Sequence, residues 1–185
     1  ADGVTGTADD TATTVAGTGA TGYSGDGGPA TSATFDSPRG LAATSSSVLV
    51  ADSLNRRVRR IDRSSGTVTT VAGPGPGATN GPSGDGGPAT AATLHLPRDV
   101  EAVPSGGFLI ADSGTNRVRR VLPNGTIATI AGSGSFGVAG DGGPATSARL
   151  SEPFGVNLAP DGDLYISGAG VAATASAHPR SRPVP

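Results

Sequence analysis

GDGGPATSATF, residues 25–35, returns as GDGGPATAATL at 84–94 and as GDGGPATSARL at 140–150, so Asp26, Asp85 and Asp141 stand 59 and 56 residues apart. Between these phrases VLVADSLNRRVRR (48–60) is rewritten as FLIADSGTNRVRR (108–120), and TVAG, TVAG and TIAG begin at Thr14, Thr70 and Thr129. Self-similarity at one period implies a supersecondary unit that buries its apolar face only against copies of itself. Inside each unit apolar and polar residues alternate in short runs bounded by Gly, Pro, Asn and Ser, the signature of short antiparallel strands.

Four strands fit per unit. In the first full copy they cover about 40–44, 47–52, 57–62 and 67–72, and in the second about 99–103, 107–112, 117–122 and 126–131. Val48, Val50, Val58, Ile61, Val68 and Val71 supply the sheet faces of one copy, and Phe108, Ile110, Val118, Val121, Ile127 and Ile130 those of the other; Ala51 and Ala111 leave room for close packing. Ser65-Gly66 and Asn124-Gly125 stand where a tight hairpin is needed, and Asn-Gly suits a type I′ turn. Pro29, Pro88 and Pro144 can each start a single helical turn. Phe35, Leu94 and Leu150 follow as apolar plugs, and Pro38, Pro97 and Pro153 are expected to impose an extended approach to the next strand.

The succession PRGLAA, VLVADSLNRRVRRID, GTVTTVAG and SGDGGPATSA resembles the NHL repeat, in its long bacterial and extracellular form. The match spans roughly residues 11–167, and what it implies is an all-β partial β-propeller of four-stranded antiparallel blades. Residues 1–10 are then an N-terminal extension and 168–185 a Pro- and Ala-rich disordered or polyproline-II tail. The blade count falls short of a ring: a fourth strand at 11–17, two full blades, and two early strands at 155–158 and 163–167, against four to eight blades in known propellers. Self-association, or further blades from a longer chain, is the expected remedy for the open edges. Start at Ala1 rather than Met agrees with a piece or a processed product.

The resemblance leaves function open, since such propellers serve as lyases, RNA binders, interaction platforms and sensor domains. Composition narrows it. With 31 Gly, 15 Pro and 3% aromatic residues, no large aromatic core can form; zero Cys removes disulfides and thiolate chemistry, and a net charge of −2 disfavours nucleic acid. No apolar run reaches the length of a membrane span. All 13 basic residues are Arg. Asp52 with Arg57 and Arg59, and Asp112 with Arg117 and Arg119, read as structural pairs repeated with the blade; the rival reading is a ridge for RNA or another polyanion, extended by Arg56, Arg60 and Arg120.

Asp26, Asp85 and Asp141, each followed by two Gly, and Asp161 with Asp163 could offer oxygen ligands to Ca²⁺, but turn capping explains them more simply. The lyases of the family rely on several His, whereas His95 and His178 are the two present here, and no catalytic residue, cofactor or metal site is assigned. Tyr23, Tyr165, Asp36, Glu101 and Glu152 show no partner in sequence. Asn124-Gly125-Thr126 is a glycosylation sequon at an expected hairpin tip. Together these favour a secreted or cell-surface, non-enzymatic module that binds a protein or glycan partner. A fragment of a propeller lyase whose catalytic residues lie elsewhere is the alternative.

Overall fold

A computed structural model describes residues 12–75, 84–169 and 171–175. The fold is an all-β partial propeller. Blade 1 is a meander of β1 (Pro38–Ala43), β2 (Ser47–Asp52), β3 (Arg57–Asp62) and β4 (Val68–Ala72), and blade 2 repeats it as β5 (Pro97–Ala102), β6 (Phe108–Asp112), β7 (Arg117–Val121) and β8 (Ile127–Ala131). A third sheet holds β9 (Pro153–Leu158), β10 (Leu164–Gly168) and β11 (Val171–Ala175), with β10 in the middle.

Period-two alternation sends opposite faces of each sheet to opposite neighbours. One face of blade 1, with Ala42, Leu49, Ala51, Val58 and Ala72, packs on Val100, Ile110, Val121 and Ile127 of blade 2. The far face of blade 2, with Val103, Leu109, Ala111, Val118 and Ala131, packs on Val156, Leu164 and Ile166 of the third sheet. Leu94 and Leu150 are buried in these seams, as apolar plugs should be, and Phe35 packs against the outer face of blade 1. Each Pro-Ala-Thr phrase makes one 3₁₀ turn, at Ala30–Ser32, Ala89–Ala91 and Ala145–Ser147.

The Gly-rich connection has a definite task. Gly27 donates its N–H to Val68 O at 2.8 Å and Val68 returns one to Gly28 O at 3.0 Å; Gly86, Ile127 and Gly87 repeat this at 2.8 and 3.0 Å. The loop thus pairs the outer edge of the fourth strand, which would otherwise offer a free ladder to another chain.

Four expectations change. Residues 12–17 form no strand: Gly17 N–H reaches Ala30 O at 2.9 Å, as Gly73 reaches Ala89 and Gly132 reaches Ala145, so the segment lies in the fourth-strand position but, among the described residues, has no third strand beside it. The tail expected from 168 onward instead includes β11, paired with β10 from Gly168↔Val171 to Leu164↔Ala175. The residues before the strand-opening prolines are not extended but left-handed, with φ of 48° at Ser37, 55° at Leu96 and 42° at Glu152. A sharp reversal is required there, and it is pinned by Asp36 N–H to Asp52 at 2.8 Å and His95 N–H to Asp112 at 2.7 Å. Asn124 does not take the positive φ of a type I′ turn; Gly125 does, at 83°, while the Asn124 carboxamide oxygen accepts from Thr126 N–H. The 1–10 extension, Thr11, His178 and the tail beyond 175 lie outside the described residues.

Candidate functional site

The charged residues shared by the two full blades converge where β2 and β6 end. Arg59 is 0% exposed: its Nε donates to Asp26 at 2.9 Å, Nη2 lies 2.7 Å from the same carboxylate, and Nη1 and Nη2 donate to the carbonyls of Thr34 and Ser24 at 3.3 and 3.0 Å. Asp52, equally buried, stands 3.6 Å from Nη1 and accepts from Asn55 at 2.9 Å. Blade 2 repeats the arrangement with Arg119 between Asp85 and Asp112, the latter at 3.8 Å and accepting from Thr115 at 2.7 Å. A guanidinium with five donors can hold two carboxylates and neighbouring carbonyls at once, which a lysine could not.

The two carboxylates of one clamp differ. Burial pushes the Asp52 carboxyl up despite hydrogen bonds from Asp36 and Asn55 and the charge of Arg59, and it pushes Asp112 up to about 6. Asp26 is also raised by burial, but hydrogen bonds from Thr70 and Tyr23 and the Arg59 charge outweigh this and hold it below the ordinary range; Asp85 is lowered in the same way by Thr129 and Arg119.

Arg57 and Arg117 are not drawn to Asp52 and Asp112. They face those aspartates only across the backbone ladder; the Arg57 guanidinium stacks 3.6 Å over the Tyr23 ring, and Arg117 donates to Ser133 O at 2.7 Å. The principal partners of the buried arginines are Asp26 and Asp85, 33 and 34 residues away. The signal for that pairing was the recurrence of an aspartate and an arginine at nearly the same separation in both full copies. Tyr23, without a partner in sequence, donates to Asp26 at 2.6 Å.

The arginines of the two clusters differ in exposure. Of the cluster in blade 1, Arg60 alone is exposed, and Arg120 in blade 2 is half-buried beside Ser105. Glu101 is raised by burial and by the charge of Asp99, and Glu152 lies 3.6 Å from Arg98. Among the described residues no group of three or more His, Asp or Glu is placed to hold a metal ion. His95 is half-buried; its backbone N–H donates to Asp112, and its ring lies near enough for its charge to act on that carboxylate.

A cleft of about 670 Å³ lies between blades 1 and 2, on the side of the β1–β2 and β7–β8 hairpins. Thr44, Ser47, Thr70, Thr90 and Thr126 bring hydroxyls, Phe108 and Val71 apolar surface, and Arg60 the one charge. Asn124 stands exposed on its rim, with Thr126 Oγ1 donating to its Oδ1 at 2.8 Å.

No known family profile matches the chain, and no curated protein does. Solved structures do. An auxiliary nutrient binding protein from Bacteroides thetaiotaomicron VPI-5482 is similar over 68% of this chain and 33% of its own, at 20% identity and a TM-score of 0.56. A protein of unknown function from the same organism matches over 70% and 30%, at 18% identity and a TM-score of 0.51. Virginiamycin B lyase from Staphylococcus aureus covers 70% and 34% at 15% identity with a TM-score of 0.44, too low to carry an argument. The chain spans about a third of the length of these structures, and at such identities the likeness establishes the propeller fold alone.

Proposed function

We propose that the chain is an extracellular NHL-type propeller module without a catalytic role, which presents the cleft between its first two blades to an uncharged, hydroxyl-bearing partner such as a neutral glycan or a glycosylated protein. The observation that carries this reading is where the repeated charges go. Arg59, Arg119, Asp52 and Asp112 are spent inside the blades, and the surface left in the cleft is a row of Ser and Thr hydroxyls over Phe108. Such a surface forms hydrogen bonds with neutral polar groups and has little field with which to hold a polyanion. An exterior location is supported by the exposed Asn124 sequon and by the hydroxyl-rich surface.

A glycan array probed at about 0.15 and 0.5 M salt tests this, because screening over this range weakens polyanion binding and leaves neutral hydrogen bonding nearly unchanged. Salt-insensitive retention of a neutral glycan, abolished by Thr90→Arg at the cleft wall, is the expected result. Retention of sulfated or phosphorylated ligands only, lost at high salt, would overturn it.

A further inference from the structure

We propose that the third sheet is completed by a second copy of this chain, whose residues 12–17 add beside β11 as its fourth strand and place Thr14 against Asp141. The argument rests on two incomplete pieces that fit in register. In blade 1 the fourth strand is held from both sides, by β3 through Arg59↔Thr70 and Arg60↔Thr69 and by the Gly-rich loop through Gly27, Gly28 and Val68. Its Thr70 hydroxyl donates to Asp26 at 2.6 Å, and in blade 2 the Thr129 N–H serves Asp85 at 3.1 Å.

The third unit has the same loop and the same aspartate, with Gly140 to Gly143 closing the identical turn at 3.0 Å. Among the described residues, however, β11 has no neighbour on its outer side, the Gly142 N–H and Gly143 carbonyl meet no strand, and Asp141 meets neither an arginine nor a threonine. At the other end of the molecule TVAG at 14–17 is a fourth strand by sequence and by its Gly17 to Ala30 bond, yet among the described residues no strand pairs with it. Transferring the blade 1 register sets Thr14 opposite Ala173 and Thr13 opposite Thr174, and brings Thr14 to Asp141. Two parts of the clamp are not supplied, since Ala173 holds the register position of Arg59 and Arg119 and Gly168 that of Asp52 and Asp112.

A second, independent observation comes from the sheet faces. Leu41 is 64% exposed, whereas its counterparts Val100 and Val156 are 1% and 6% exposed because a preceding blade covers them. Tyr165, at the β10 position that Leu49 and Leu109 use to cover the next blade, is 46% exposed. Seating the third sheet of one copy before blade 1 of another covers both residues at once. The contact is head to tail, so it closes only at a definite number of copies.

Because the chain has no native cysteine, Thr13→Cys on one tagged copy and Thr174→Cys on a differently tagged copy form an unambiguous probe. The expected results are a species of at least twice 17.7 kDa by light scattering at tens of micromolar, and a disulfide joining the two tags. Thr14→Pro, which blocks the added ladder but alters no strand of the isolated chain, should weaken association at least tenfold, and Asp141→Ala should weaken it several-fold. A monomer at that concentration, or a disulfide no more frequent than with Ser45→Cys in place of Thr13→Cys, would overturn the proposal.

Discussion

Blade 2 and the third sheet start from nearly the same phrase and end differently. Both open with a Pro-led strand, bury a plug leucine and carry Asp-Gly-Gly in the connection. Blade 2 then supplies Asp112, Arg119 and a fourth strand, so that Asp85 is bound from two sides. In the third sheet Gly168 takes the place of Asp112 and Ala173 that of Arg119, and the reversal between the second and third strands shrinks from four residues to two. The contrast teaches that the aspartate of the Gly-rich loop does not define the blade. The buried arginine does, because it alone joins the loop, the second strand and the third.

The largest effect expected from breaking this comparison is at the arginine. Arg119→Ala leaves Asp112 buried without its counter-charge and should cost about 3–5 kcal/mol in urea unfolding, as removal of one partner of a buried pair does. Arg59→Ala should behave alike. A loss below about 1 kcal/mol for either would mean that the clamps do not hold the blades.

Glycine substitutions sharpen the contrast at the next level. Gly73 and Gly17 share a place in the repeat and a left-handed φ, of 81° and 89°. A Cβ on Gly73 would strike the Arg56 carbonyl oxygen, while one on Gly17 would meet only the Phe35 ring, at 3.6 Å. Gly17→Ala therefore carries little beyond the left-handed backbone penalty of about 1–2 kcal/mol, and Gly73→Ala should lower the melting temperature distinctly further. Equal shifts would show that blade 1 relaxes around the added atom.

The pH dependence should be smaller. With its folded pKa raised from 3.8 to about 6, Asp112 binds its proton more tightly in the native state, so its contribution to stability grows as pH falls from about 6 towards 4 and is lost as pH rises through 6. Asp26, Asp85 and Asp62 are lowered, Asp62 to about 2 by hydrogen bonds from Ser64 and Ser65, and their contribution fades as pH falls below about 3.8. Urea titrations should place the stability maximum of the chain between these windows. In Asp112→Asn the gain between pH 7 and 5 should shrink by on the order of 1 kcal/mol. An unchanged pH profile would remove Asp112 as its source.

The strands of both full blades were legible because alternation and turn residues are local signals; β2, β3 and β7 start where Ser47, Arg57 and Arg117 suggest. Residues 12–17 carry the same local pattern without the same outcome, since a ladder needs a neighbour and no strand lies beside them among the described residues. β11 was hidden for the opposite reason: Val-Ala-Ala-Thr-Ala has no alternation, and its place is set by β10 beside it. Among the charges, Asp112 and Arg119 share one hairpin and could be paired by proximity. The stronger partners, Asp26 with Arg59 and Asp85 with Arg119, are joined only after the connection folds back over the fourth strand. Tyr23 under Arg57 belongs to the same class, for its loop is placed by the connection as well.

The most direct test of the central claim compares one substitution at two copies of one phrase. Asp85→Asn and Asp141→Asn would be unfolded in urea side by side, in a Thr14→Pro background so that self-association does not enter. Asp85→Asn should lose about 1–3 kcal/mol, because Arg119 stays buried with a weaker partner, and Asp141→Asn should stay within about 0.5 kcal/mol of the parent. Equal losses at both positions would contradict the assignment of the buried arginine as the element that makes a full blade.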